Sequence, residues 1–264
     1  MEKEILVEKT QNRKEFIRKA FEWEKFFEEI KDKNKILIKP NIVSQEEYPT
    51  TTHPETLEEC LKLLLKVKPK DRILVADGPA FDAGNSSKII KNHSLKKVCE
   101  KFGIPLINLN KTTFRKISAF GLNLLIPEIV LEADYIISLP VLKTHRICKI
   151  TGALKNQYGF LPPKQKLLFH FPFRDIHKTI AVINKIIKIN FFVVDAIYTL
   201  IKAQEKRHGG EVRELGYMLA GRNPILLDLK GLELLQKIDP SLKGLTSKDI
   251  LQINWFLKLK ETSQ

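Results

Sequence analysis

The chain has 264 residues, 43% of them hydrophobic and 29% charged, a globular composition long enough for one sizeable α/β domain. No apolar run reaches the ~18–20 residues of a membrane span, and the charged, strand-like start Met1-Glu-Lys-Glu-Ile-Leu-Val7 is no signal peptide, so a membrane protein and a secreted disulfide scaffold are excluded and a cytoplasmic protein is expected. The net charge of +14 raises nucleic acid as a partner, but only nine of the 45 basic residues are Arg, the Lys are scattered and no aromatic–basic ladder is present; a generally Lys-rich composition, or an anionic small substrate, accounts for the charge better.

Ile5–Val7 reads as a first strand. From Asn12 to Ile30, Phe16, Ala20, Trp23, Phe27 and Ile30 recur at spacings of 4, 3, 4 and 3, which predicts one core-packing helix. Lys35–Lys39 is a second strand stopped by Pro40, and a polar loop from Asn41 to His53 leads to a helix over Pro54–Val67, with Pro at its first position. Arg72–Ala76 is a third strand, followed by Asp77-Gly-Pro-Ala and a helix from about Ser86 to Phe102 that stops at Gly103. Pro105–Leu109 is a fourth strand, 113–126 a hairpin turning near Gly121-Leu-Asn123, and Pro127 starts a short helix. Asp134–Leu139 is a strand, after which the Gly-, Lys- and His-rich section 141–174 interrupts the pattern as an inserted lobe or an active-site loop. A helix with Ile176, Ile180, Ile183 and Ile187 on one face precedes Phe191–Asp195, a continuous apolar run expected of a central parallel strand buried on both faces. Leu215–Ala220 is a further strand, Asn223-Pro224 caps a helix to about Lys237, and Thr246 with Asp249 caps a last helix through Leu259. Strands alternating with helices predict a single α/β domain: a mostly parallel open sheet with helices on both faces.

Cys60, Cys99 and Cys148 are too few and too widely spaced for a disulfide framework, a zinc finger or a four-thiolate cluster, so no iron–sulfur cluster is expected from this chain, and all three read as core residues in a reducing compartment. There is no phosphate-binding G-x-x-x-x-G-K-[ST] loop, no G-x-G-x-x-G and no G-x-S-x-G elbow.

The polar residues that stand out fall after strands. Lys39 and Asn41 follow the second strand, Asp77 and Gly78 the third, and Lys143, Thr144 and His145 the strand ending at Leu139, while Asp195 ends the run 191–194. Ligands of open parallel sheets bind outside the carboxyl ends of the strands, so these positions predict one polar pocket there. Lys39, Lys143 and Lys155 would hold a small carboxylate or phosphate, or a Lys of lowered pKa would act as nucleophile. His145 would be a general acid or base or a metal ligand, and Asp77 and Asp195 would orient the Lys or His groups or bind metal. Thr52, His53 and Asn156 are further ligand-binding candidates, His53 because it meets a helix N-terminus. His145, His170 and His177 with Asp175 would supply ligands to a divalent ion, although their spacing matches no named motif. His93 and His208 read as solvated. The competing reading is a basic nucleic-acid-binding protein without catalysis.

The runs Lys39-Pro-Asn41, Thr51-Thr-His-Pro-Glu55 and Asp77-Gly-Pro79 resemble the prokaryotic family called domain of unknown function 362. The resemblance continues through Leu139-Pro-Val-Leu-Lys-Thr-His145, Thr151-Gly-Ala-Leu-Lys-Asn156, Tyr158-Gly-Phe160, Val193-Val-Asp-Ala196 and Leu219-Ala-Gly-Arg-Asn-Pro224, from about residue 35 to 230. It implies a cytoplasmic prokaryotic protein with its shared polar motifs at the strand ends already singled out, and it supplies no reaction. Some members carry ferredoxin-type cluster segments, which suggests an accessory partner of a redox enzyme as a further alternative; this chain lacks those cysteines. It also departs where members often have a Gly-x-Gly-Pro turn, reading Ile201-Lys-Ala-Gln-Glu-Lys-Arg-His-Gly-Gly210 instead.

Overall fold

The computed structural model describes residues 4–23, 25–170 and 174–259. The chain begins with β1 (Ile5–Lys9), α1 (Arg13–Trp23), α2 (Phe26–Ile30), β2 (Ile36–Pro40), α3 (Pro54–Leu64) and β3 (Ile73–Asp77). It continues through α4 (Ser86–Asn92), α5 (Ser94–Phe102), β4 (Leu106–Asn108), the hairpin β5 (Phe114–Ala119) and β6 (Leu122–Pro127), α6 (Glu128–Leu131) and β7 (Tyr135–Leu139). The interrupted section holds β8 (Lys143–His145), β9 (Lys149–Thr151), α7 (Ala153–Asn156) and α8 (Pro163–Leu168); residues 171–173 of it lie outside the described residues. The last elements are α9 (Ile176–Ile186), β10 (Phe191–Ile201), β11 (Glu211–Gly221), α10 (Pro224–Leu235) and α11 (Leu251–Lys258).

The main sheet has seven strands in the order β1-β11-β10-β7-β2-β3-β4. β10, β7, β2, β3 and β4 run parallel, while β11 pairs antiparallel with both β10 and β1. The fold is therefore α/β with a mostly parallel sheet. The run 191–195 is central and buried as expected, and β10 is parallel to β7, but on its other side it forms a long antiparallel ribbon with β11 of nine residue pairs, interrupted between Ala196 and Tyr198.

Alternation within the strands sends neighbouring side chains to opposite faces. Ile36, Ile38, Ile73 and Val75 join one core with Phe16, Phe21, Leu57 and Cys99. Leu37, Ala76 and Ile136 join the other with Leu154, Ile180, Ile183 and Leu227. Helices α1 to α5 thus cover one face, and α7, α9, α10 and α11 the other. Cys148, Ile150, Phe160 and Leu161 of the interrupted section belong to this second core, so the section is packed into the domain's hydrophobic interior.

Three predicted helices differ in detail. The stripe over 12–30 is cut after Trp23, and Lys25 at φ 50° opens α2 as a separate turn. The stretch 86–102 is two helices, because His93 leaves helical geometry (ψ 144°) and its Nδ1 accepts the backbone N–H of Leu95 as an N-cap. His93 is fully buried, which corrects its reading as a solvated residue. The Thr246/Asp249 capping box is present, but it closes a short turn over Ser247–Asp249 ahead of α11. Cys60, Cys99 and Cys148 are buried free thiols, and burial raises the pKa of each. Among the described residues no helix is long and apolar enough to cross a membrane.

An aromatic cluster seals α1 and α2 to the sheet. Phe21 stacks on Phe26 with centroids 4.0 Å apart and meets Phe191 edge-on at 5.7 Å. Phe21→Ala would leave a cavity that neighbouring rings cannot fill, so equilibrium urea unfolding is expected to show a loss of about 3–5 kcal/mol.

Candidate functional site

The parallel strands β2, β3 and β7 end at one edge of the sheet, and a cavity of about 240 Å³ opens beside it. Its walls come from β2 and the residues after it (Lys39, Asn41), from the end of β3 (Asp77, Gly78), from β8 (Lys143, His145), from α7 and the turn after it (Lys155, Asn156, Tyr158) and from α8 with the residue beyond (Lys166, His170). The segment after β10 adds Gln204, Glu205 and His208, and Asp82 completes the rim.

Four lysines meet here, and their partners differ. Lys39 is fully buried and donates to Asp77 Oδ1 at 2.6 Å and to the Pro40 carbonyl at 3.1 Å. Asp77 also accepts the N–H of Ile42 at 2.5 Å and of Gly78 at 2.8 Å. This close packing requires glycine at 159, where a Cβ would stand 2.5 Å from Asp77 Oδ1 and 2.8 Å from Lys39 Nζ. Lys166 spends its donors on the carbonyls of Gly78 and Pro79 and on Asn110 Oδ1. Lys143 donates to the Thr50 carbonyl at 2.6 Å and has two N–H groups left over. Lys155 has no hydrogen-bond acceptor among the described residues; its Nζ lies 4.8 Å from the centroid of the Tyr158 ring.

Among the described residues, only Lys39 of these four forms an ion pair. The acidic groups at the rim are engaged elsewhere: Arg207 bridges Glu205 (2.7 Å) and Asp82 (2.9 Å), and His208 lies 3.2 Å from Asp82. Burial disfavours the ammonium form, so Lys39 and Lys155 are held below their ordinary values and Lys143 and Lys166 are pulled down to about 7.

Two histidines present opposite hydrogen-bonding characters. His145 Nδ1 accepts the backbone N–H groups of Ile147 and Cys148, both at 3.1 Å, which places its proton on Nε2. His170 Nδ1 lies 2.6 Å from the Lys166 carbonyl, to which it donates, leaving the lone pair on Nε2. Burial lowers both, and for His145 the cationic neighbours led by Lys155 add to it, so both rings are neutral near pH 7. One ring offers a donor and the other an acceptor.

α7 is positioned from outside the cavity. Asp228 of α10, fully buried, accepts the N–H of Ala153 at 2.5 Å and of Leu154 at 3.1 Å. Asn184 of α9 donates to the Leu154 carbonyl at 2.9 Å. Asn156 Nδ2 reaches Ser138 Oγ on β7 at 2.9 Å. The helix that carries Lys155 is therefore fixed at both ends.

The structure brings Lys39, Asn41, Asp77, Lys143, His145, Lys155, Asn156 and His170 to the one cavity. Asp195 is not among its lining residues. It shares strand parity with Val193 and Ile197, whose side chains enter the α1–α3 core, and there it binds Arg13 Nε at 2.7 Å, Tyr48 Oη at 2.7 Å and Thr56 Oγ1 at 3.4 Å. Thr52 joins the backbone of Asn41 to the Leu139 carbonyl, and His53 is the N-cap of α3, accepting the N–H of Glu55. The proposed metal set is corrected: Asp175 caps α9 through the N–H of Lys178, His177 pairs with Gln252 Oε1, and among the described residues no three His, Cys, Asp or Glu side chains converge on a metal position. His145 and His170 are thus cavity residues without a third ligand among the described residues.

Sequence reasoning missed Lys166, Tyr158, Asp82, Glu205 and His208, the last read as solvated but placed on the cavity rim. Lys166 stands two residues from the exposed Lys164, and no local signal separates them. The segment 201–210 has no Gly-x-Gly-Pro turn; it is tied down by the backbone N–H groups of Lys206 and Arg207 on the Glu46 carboxylate and contributes side chains to the rim.

Comparison with known proteins agrees with this architecture. The family model described as Domain of unknown function (DUF362) matches residues 36–233. The thylakoid-associated protein sll1697 of Synechocystis sp. is 23% identical over 231 residues, covering 85% of this chain and 70% of that protein. The lactate racemase apoprotein from Thermoanaerobacterium thermosaccharolyticum has the same fold, with a TM-score of 0.57 at 16% identity over 88% of this chain. This chain spans 57% of the racemase's length, so the likeness is one of fold.

Two outcomes are expected of this site. Asp77→Asn leaves Lys39 buried without a counter-charge, and guanidinium unfolding should show a loss of about 3–5 kcal/mol. Lys143 falls from its ordinary 10.5 to about 7 on folding. From about pH 7 to pH 10 the folded protein therefore binds fewer protons at Lys143 than the unfolded chain, and this residue's contribution to stability rises with pH. The stability of Lys143→Met relative to wild type should be highest at and below about pH 7 and decline toward pH 10.

Proposed function

The chain belongs to the DUF362 family, and from its cavity we propose that this member binds a small carboxylate or phosphate and carries out proton-transfer chemistry on it. The observation that carries the reading is the set of cavity ammonium groups without carboxylate partners. Lys143, Lys155 and Lys166 form no ion pair among the described residues, and Lys143 and Lys155 have N–H groups with no acceptor. Buried cations that lack counter-charges are costly, and an anion in the cavity offsets that cost.

The neutral histidines fit the second half of the reading. His145 would donate from Nε2 to a ligand oxygen, and the His170 Nε2 lone pair would accept a proton. Asn41 and Asn156 would orient the ligand's polar groups. The racemase of the same fold acts, by its name, on a small hydroxy acid, which is compatible with a carboxylate ligand.

Calorimetric titration with inorganic phosphate tests the reading. Binding an anion next to depressed ammonium groups raises their pKa, so complex formation near pH 8 should take up protons, and affinity should fall as pH climbs above about 7, the range in which Lys143 and Lys166 lose their charge. Lys143→Met should weaken binding at least about tenfold, ~1.4 kcal/mol. Absence of binding at millimolar phosphate, or affinity indifferent to pH and to Lys143→Met, would refute an anion site here.

A further inference from the structure

We propose that Lys155 is a covalent nucleophile, and that the ligand is a small 2-oxo acid whose carbonyl condenses with the Lys155 amino group to an imine. This rests on the anion-site reading, with Lys143 holding the carboxylate, and goes beyond it by assigning a reaction and a substrate class.

The four cavity lysines are not equivalent. Lys39, Lys143 and Lys166 are each anchored by their amino groups to a carboxylate or to carbonyls. Each of these contacts fixes the nitrogen and occupies it. Lys155 is the exception among the described cavity lysines: its Nζ faces the Tyr158 ring at 4.8 Å and has no acceptor. The short helix that carries it, in contrast, is held through the backbone of the preceding residue, Leu154, on Asp228 and Asn184. A rigidly based side chain with an unoccupied terminal amine inside a small cavity is the arrangement a nucleophilic lysine requires. Burial, with Lys39 adding its charge, favours the neutral amine that can attack.

The neighbouring groups match the steps. The Nζ lone pair forms a bond to the carbonyl carbon as the C=O π pair moves to oxygen, an oxyanion that the His145 Nε2–H would stabilise. The nitrogen then carries an extra proton. His170, whose ring centroid is 5.3 Å from that of Tyr158, would accept this proton at Nε2 and return it to the oxygen, giving the carbinolamine. In the second stage the nitrogen's remaining proton passes by the same nitrogen to the departing hydroxyl, the C–O bond breaks and C=N forms. The balance is one amine and one 2-oxo acid giving one imine and one water, with no oxidant, reductant or further reactant. Once formed, the imine is an electron sink, so a proton on the carbon next to it becomes the one His170 would remove.

The test is reductive trapping. Protein is incubated with pyruvate or 2-oxobutyrate and sodium cyanoborohydride, and the product is examined by intact mass and peptide mapping. The expected result is close to one adduct per chain, located at Lys155, suppressed by excess inorganic phosphate and absent from Lys155→Arg. Because the adduct is mapped in the wild-type chain, the result does not depend on how the variant folds. Labelling spread over many lysines and unchanged in Lys155→Arg would overturn the proposal. So would the absence of any adduct. If calorimetry on the same sample still shows phosphate binding, the covalent step alone fails; if it shows none, the anion site fails with it.

Discussion

The buried pair between Lys39 and Asp77 is the contact on which the edge of the sheet depends. It joins the carboxyl ends of β2 and β3, and Asp77 also gathers the N–H groups of Ile42 and Gly78, so two loops leave the sheet in fixed directions. The turn after α7 can approach only because residue 159 has no side chain. The Phe160 ring then covers Lys39 at 5.4 Å from its centroid. A charge pair this deep stabilises little in itself, since desolvation offsets most of the attraction. Its effect is on geometry: with both partners present the walls of the cavity have one arrangement, and with one removed a bare charge remains inside the protein.

The cavity shows how one fold holds several like charges within a small volume. Carbonyl oxygens of Thr50, Gly78 and Pro79 take the place of carboxylates around Lys143 and Lys166. Carbonyl dipoles solvate an ammonium group without neutralising it, while Lys143 and Lys155 keep N–H groups with no acceptor among the described residues. Carboxylates exist nearby, but Arg207 and His208 hold Asp82 and Glu205 in a separate network at the rim. That segregation leaves the interior available to an external anion.

Much of this was legible in the sequence, for a physical reason. Hydrophobic alternation and strand-end polarity are local properties, and they located the parallel edge and the cavity residues Lys39, Asn41, Asp77, Gly78, Lys143 and His145. Asp195 shows the limit of that reasoning. Its height on the sheet was right, but a strand sends successive side chains to opposite faces, and counting from Val194 places Asp195 on the α1–α3 side, where Arg13 and Tyr48 take it up. The parity was available in the sequence and the end-of-strand rule ignored it. Lys166, Glu205 and His208 were not available, because their roles arise when α8 and the segment after β10 fold back over the edge. Nothing within a few residues of Lys166 distinguishes it from Lys164. The two helix breaks, after Trp23 and at His93, likewise needed the tertiary context, since a helical stripe continues in sequence through a cap residue that only the packing selects.

The two cavity histidines carry the argument from binding to chemistry. Identical side chains in a shared cavity become different reagents according to which nitrogen the backbone occupies. The amides of Ile147 and Cys148 take the lone pair of His145 Nδ1 and leave it a donor, while the carbonyl of Lys166 takes the proton of His170 Nδ1 and leaves it an acceptor. Burial and the surrounding lysines keep both rings neutral, so these assignments survive near neutral pH instead of collapsing into two imidazolium ions. The electropositive interior thus does two things at once. It would draw in the proposed anion, and it suppresses protonation of the two histidines that would act on it. A site built to hold charge alone would gain by leaving its histidines cationic. The opposite tautomers and suppressed pKa values fit a cavity that moves protons.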